Sequence, residues 1–175
     1  MNLLELAQKR CSIRKYASSP VEDEKLAYIL EAGRMAPSAV NFQPWYFVII
    51  RQEAGRAKIQ DAMHANGSDP QPLYILVCGD HSQSWKRSSD RKDHMDIDVA
   101  IATEHISLAA AEQGLGSCWV CNLTRIYAGK HFNFTRHDRA GGYTHDRLSG
   151  KSGSFLNRLP KNGKRWRRSS RKKHF

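Results

Sequence analysis

The 175-residue sequence lacks any uninterrupted apolar stretch long enough to cross a bilayer, which excludes a helical membrane-spanning reading. It also lacks a continuous apolar run behind the N-terminus, so no signal peptide is read. Four cysteines are too few for a disulfide scaffold of this length, and without an export signal they point to reduced thiols and a cytoplasmic location. No second closely spaced Cys or His pair accompanies Cys118 and Cys121, so the four ligands of a structural zinc site are missing. Internal repeats are absent. Acidic residues are scarce in one part only: residues 123–175 hold two, Asp138 and Asp146, against 15 of the chain's 28 Lys and Arg. That segment carries a net charge of +13, which leaves residues 1–122 at −2 within a total of +11. The basicity belongs to the tail.

What remains is one domain's worth of patterned sequence. Leu3, Leu4, Leu6 and Ala7 give a short amphipathic helix ending near Arg10. Acidic residues 22–24 suit a helix N-terminus, and Leu26, Ile29, Leu30 and Gly33 give that helix one apolar face, closed by Pro37. Residues 45–50 and 73–78 read as buried strands, with a helix over 54–65 and a turn over 66–70 between them. Residues 79–92 are polar and read as a mobile loop. Residues 93–113 form the longest helical candidate, apolar on nearly every face, which demands burial in a core or a subunit interface. Gly114 and Gly116 end it, and residues 115–120 read as a third strand.

Three segments carry candidate chemistry. Arg10, Ser12 and Arg14 place two guanidiniums around a hydroxyl, a set that can converge on a phosphate after a helix end. Taken alone, the trio reads more readily as a solvated basic turn. In Ala36-Pro37-Ser38-Ala39-Val40-Asn41-Phe42-Gln43-Pro44-Trp45, the amides of Asn41 and Gln43 both donate and accept. They match the alternating O, N–H, O edge of an isoalloxazine ring; equally, they suit a polar loop before a core strand. Gly114-Leu115-Gly116 is a common helix ending. Cys118 and Cys121 lie in the expected strand and read as buried structural thiols rather than a redox pair. His105, beside Glu104, reads as half of a satisfied buried pair.

Together and in this order, these segments resemble the FMN-dependent nitroreductase family over about residues 3–122. The resemblance implies an α+β fold, an α/β/α sandwich around a central mixed sheet, dimerised through the long helix. It assigns FMN binding to Arg10, Cys11, Ser12, Arg14, Pro37, Ser38, Ala39, Asn41, Gln43, Leu115 and Gly116, with the 37–43 loop reaching the flavin across a homodimer interface. The implied activity passes a hydride from NAD(P)H through FMN to a nitroaromatic, quinone or similar small-molecule acceptor. No catalytic side chain is expected, because the cofactor carries the chemistry. Two other classes stand beside this one: a basic-tailed nucleic-acid-associated protein, and a flavin-binding remnant without turnover.

The division therefore falls at residue 122: a truncated flavin-binding domain, then a basic, disordered or out-of-frame tail. The family's Pro-x-Gly-Tyr-Pro turn and its distal basic phosphate ligand have no counterpart in residues 123–175. Back-translation offers a cause. Read one base later, residues 143–150 can encode Ile-Pro-Met-Ile-Gly-Tyr-Pro, and a two-base offset turns residues 161–169 into an acidic helical end. The tail is thus expected to be largely a frameshifted C-terminus, and FMN binding by this chain is expected to be weak. Any nucleic-acid affinity should reside in residues 123–175 and be unselective. Its log–log salt slope on duplex DNA should grow by about −0.9 for each phosphate neutralised. Selective binding that survives high salt would instead identify an evolved arm.

Overall fold

A computed structural model of the chain describes residues 1–63, 71–121 and 138–140. Its elements run α1 (Leu3–Lys9), α2 (Asp23–Arg34), a single 3-10 turn (Ala39–Asn41), β1 (Trp45–Ile50), α3 (Glu53–Ala62), β2 (Tyr74–Asp80), α4 (Met95–Glu112) and β3 (Asp138–Ala140). Local chemistry sets the first boundaries. Asn2 and Glu5 form a reciprocal capping box at the start of α1. Helix α2 stops at Arg34, before the proline at 37, and buries Leu26, Ile29, Leu30 and Gly33.

Strand β2 lies at the centre, antiparallel to β1 and to β3, with Trp45 opposite Gly79, Ile50 opposite Tyr74, and Cys78 opposite Ala140. Successive side chains of a strand face opposite ways, and here both faces are covered. Phe47 and Val77 join Leu26, Ile29, Leu30, Met95, Val99 and Ile106 beneath α2 and α4. Val48, Ile50 and Cys78 join Ile59 and Ala62 beneath α3. The continuous apolar runs of β1 and β2 are explained by this double cover, and the layers are helix, sheet, helix.

Two expectations are corrected. Residues 115–120 are not a strand: they make one isolated parallel bridge, Ser12 to Ser117, through an Ile13 N–H donated to the Ser117 carbonyl at 2.9 Å. Beyond that bridge Trp119 and Val120 are exposed, with no flanking strand among the described residues to hold them. The described strands are accordingly all antiparallel, and the parallel component of the expected mixed sheet is that single bridge. Residues 79–92 are tied down rather than loose. Asp93 accepts from Ser84 Oγ at 2.6 Å and from the Met95 N–H at 2.8 Å, and its other oxygen meets His81 Nδ1 at 2.8 Å. The expected turn at 66–70 lies outside the described residues, as does the tail apart from 138–140, whose backbone completes the sheet.

Helix α4 packs against β2 at a glycine. A Cβ on Gly79 would stand 1.9 Å from Met95 Sδ and 2.8 Å from Val99 Cγ2, both on fully buried side chains. Overpacking of this kind costs about 1–3 kcal/mol. Gly79→Ala should therefore lower the urea midpoint by a corresponding amount; an unchanged midpoint would mean that α4 is not seated where it is described.

Candidate functional site

The first and third sequence segments meet, although about a hundred residues separate them. The C-terminal end of α1 and the turn after α4 enclose an open cleft of about 400 Å³, lined by Lys9, Arg10, Cys11, Ile13, Ala111, Gly114, Leu115, Gly116 and Ser117. The Ser12–Ser117 bridge stitches its two walls together. Gly114 ends the helix with φ +74°, a left-handed conformation that favours glycine. Gly116 is needed for a different reason: a Cβ there would press on Ile13 at 3.0 Å. Arg10 faces Glu104 of α4, with Nε 3.7 Å from Oε1. Glu104 thus takes Arg10 as its ionic partner, where a pair with His105 was expected.

Of the candidate phosphate trio, only Arg10 lines this cleft. Ser12 and Arg14 are exposed and stand outside its lining. Behind them Tyr16 donates its hydroxyl to the Ile13 carbonyl. Burial, then the neighbouring Cys118, pushes the Tyr16 phenol up to about 12, so it remains a neutral donor that braces the bridging segment. Cys118 is half-buried and Cys121 exposed, which corrects their reading as buried thiols. Among the described residues no three His, Cys, Asp or Glu side chains form a metal cluster.

The second segment, residues 37–43, does not line the cleft of its own chain. It is a tight, strained loop: Val40, Asn41 and Gln43 have φ of 53°, 55° and 50°. Left-handed conformations at non-glycine residues cost on the order of 1–3 kcal/mol each and persist only where surroundings impose them. Much of its polar chemistry holds the loop itself. Ser38 Oγ accepts the Gln43 N–H at 2.8 Å, and Gln43 Nε2 donates to the Arg34 carbonyl at 3.1 Å. Pro37 is exposed, Ala39 is half-buried, and Asn41 projects with Val40 and Phe42 into solvent.

Asp98 is the residue that sequence reasoning missed. It is 1% exposed, and its Oδ1 accepts the Ala39 N–H at 2.8 Å. Burial is the main cause that raises its carboxyl above the ordinary range, against the Ala39 hydrogen bond and His94, with Asp93 adding to the rise. A signal was present: an acid set between Ile97 and Val99 on an otherwise apolar helix.

Layers, register and paired segments define a class, an α+β fold with a helix–sheet–helix core and an open cleft at its edge. The sequence model of the Nitroreductase family matches residues 7–72 and 69–140, and the chain belongs to that family. A Methanothermobacter thermautotrophicus protein, provisionally named NADH dehydrogenase/NAD(P)H nitroreductase, is 35% identical over 126 residues, covering 68% of this chain and 60% of that protein. The chain thus spans about three fifths of that relative. A crystal structure of a nitroreductase family protein from Clostridium difficile 630 is 38% identical, with a TM-score of 0.76 over 85% of this chain and 88% of that one. One from Desulfovibrio desulfuricans, solved in complex with FMN, is 30% identical with a TM-score of 0.57 over 70% of each chain.

The raised carboxyl of Asp98 has a definite sign. Its pKa is higher folded than unfolded, so the ionised group subtracts stability above the folded value and subtracts nothing below the unfolded value, about 3.9. Asp98→Asn keeps an acceptor and cannot ionise. Its stability relative to wild type should rise as pH goes from about 4 to 7. A difference that stays flat across that range would show that Asp98 is not desolvated.

Proposed function

We propose that this chain is an FMN-dependent oxidoreductase of the nitroreductase type. In this reading it uses NAD(P)H as donor and a nitroaromatic, quinone or similar small molecule as acceptor. The observation that carries the reading is the cleft uniting Arg10 and Cys11 with Leu115 and Gly116. Its volume falls within the range of small-molecule sites, about 300–1,000 Å³. Lys9 and Arg10 supply positive charge at one end, and a glycine-containing wall supplies close backbone approach, which fits a planar ring with a phosphate tail.

Bound FMN would supply the chemistry, accepting a hydride from the nicotinamide and passing reducing equivalents to the acceptor. The protein's own part is binding and orientation. Arg10 would hold the phosphate, exchanging the distant Glu104 carboxylate for a doubly charged anion, with Ser12 and Arg14 closing from the exposed side. The backbone at Leu115 and Gly116 would flank the ring. Asn41 would meet the polar ring edge of a second copy, because its loop lies outside the cleft of its own chain.

That geometry favours a homodimer. Helix α4 is apolar on most sides, yet Ile97 is left exposed along with Val40 and Phe42 of the loop. A second copy would cover them. Among the described residues no helix is long and apolar enough to cross a membrane; a cytoplasmic location is part of this proposal. An out-of-frame tail remains part of this proposal, but the family match runs to residue 140 and takes in β3, so the change of frame is placed after residue 140 rather than at 122. An intact mass of the native protein tests the frame directly.

Arg10→Ala and Arg14→Ala should each weaken FMN more than riboflavin, since charge-assisted hydrogen bonds to a phosphate are worth roughly 1.5–3 kcal/mol. Parallel fluorescence titrations of the two flavins measure this. Equal losses for both would take these arginines away from the phosphate.

A further inference from the structure

The 3-10 turn Ala39–Asn41 begins without a local cap. Its N-cap residue is Ser38, the type that normally accepts from the first free N–H groups of a helical turn. Here the Ser38 hydroxyl instead accepts the Gln43 N–H from the far side of the loop. The Ala39 N–H is satisfied from 59 residues away, by Oδ1 of Asp98 in the first turn of α4. Immediately after that bond come Val40 and Asn41, both at positive φ. A β-branched residue does not take this conformation unless neighbouring contacts impose it.

Packing alone does not explain Asp98. It occupies an almost fully enclosed position beside Val99 and Met95, where an apolar side chain would be favoured. Its second oxygen, Oδ2, is buried with no hydrogen-bond partner among the described residues. A carboxylate there is costly, and among the described residues the one hydrogen bond its side chain makes is to the Ala39 amide.

We propose that Asp98 is a positioning residue: from α4 it clamps the Ala39 amide and locks the 38–43 loop in the conformation, left-handed at Val40, Asn41 and Gln43, that holds Asn41 outward. What the loop is held for, the ring edge of a flavin, rests on the function proposed above. The clamp itself concerns only this chain's own backbone.

Two variants break the bond from opposite sides in the full chain. Asp98→Ala removes the acceptor. Ala39→Pro removes the donor, at the first position of a helical turn where proline fits, behind a Ser38 that is already extended (φ −140°, ψ 163°) as a residue before proline must be. Amide hydrogen exchange at Asn41, Phe42 and Gln43 should rise about tenfold or more in each, while the β1 amides of Val48 and Ile50 hold steady as an internal reference. Asp98→Asn, which retains an oxygen for Ala39, should stay near wild type, and the double variant should add little to either single one. Unchanged loop exchange in Ala39→Pro, or Asn damaging as much as Ala, would overturn the clamp. Should Asp98→Ala fail to fold, Ala39→Pro and Asp98→Asn still decide it. Flavin titrations on the same proteins test the other layer: a clamp variant should weaken FMN and riboflavin by equal factors, because the loop meets the ring and not the phosphate. Faster loop exchange in a protein whose wild type binds neither flavin would support the clamp and sink the flavin reading.

Discussion

The close seating of α4 on the sheet and on α2 is the contact on which the rest depends. Two glycines permit it: Gly79 leaves room for Met95 and Val99, and Gly33 leaves room for Ile106, whose Cγ1 would stand 2.7 Å from an added Cβ. With α4 drawn in this far, its first turn reaches residue 39, its middle reaches Arg10, and its last turn forms one wall of the cleft. Any shift of the helix moves all three at once. The site is therefore mounted on a buried helix, with short connecting segments presented from it.

Hydrogen bonding explains why the two halves of the candidate site behave differently. Around the cleft, Arg10 is held by a long, part-exposed ion pair with Glu104, a weak tether, as the proposed phosphate exchange requires. In the loop, by contrast, Ser38, Gln43 and the Ala39 amide are committed to internal partners, leaving Asn41 as the exposed amide. A loop this constrained, yet projecting Val40 and Phe42 into water, is costly for an isolated chain. Its cost becomes intelligible if a second copy supplies what the loop contacts.

Elements with a strong period were legible beforehand. The buried face of α2 is the one its four apolar positions describe, and the unbroken runs at 45–50 and 73–78 form β1 and most of β2, because both faces of the sheet are covered. Residues 115–120 misled for a physical reason. Cys118, Trp119 and Val120 have strand composition, but strand formation needs neighbours, and one bridge is all that forms among the described residues. The segment at 79–92 looked mobile because its residues are polar; its order comes from Asp93 gathering Ser84, His81 and the Met95 amide, partners that no periodicity reveals. Within the site, the motif residues could be named, but the Asp98–Ala39 bond spans 59 positions and leaves no spacing signature. That the loop stands apart from its own chain's cleft was carried only by family resemblance, since exposure is a property of the folded surface.

The central claim is that the cleft between Arg10 and Gly116 receives FMN, with the 37–43 loop of a second copy completing it. A crystal structure of the full chain grown with excess FMN tests this most directly. The account predicts the flavin phosphate against Arg10, the ring beside the backbone of Leu115 and Gly116, and the Asn41 amide of a second copy at the ring edge. Flavin seated elsewhere, or a cleft still empty at saturating FMN, would contradict it.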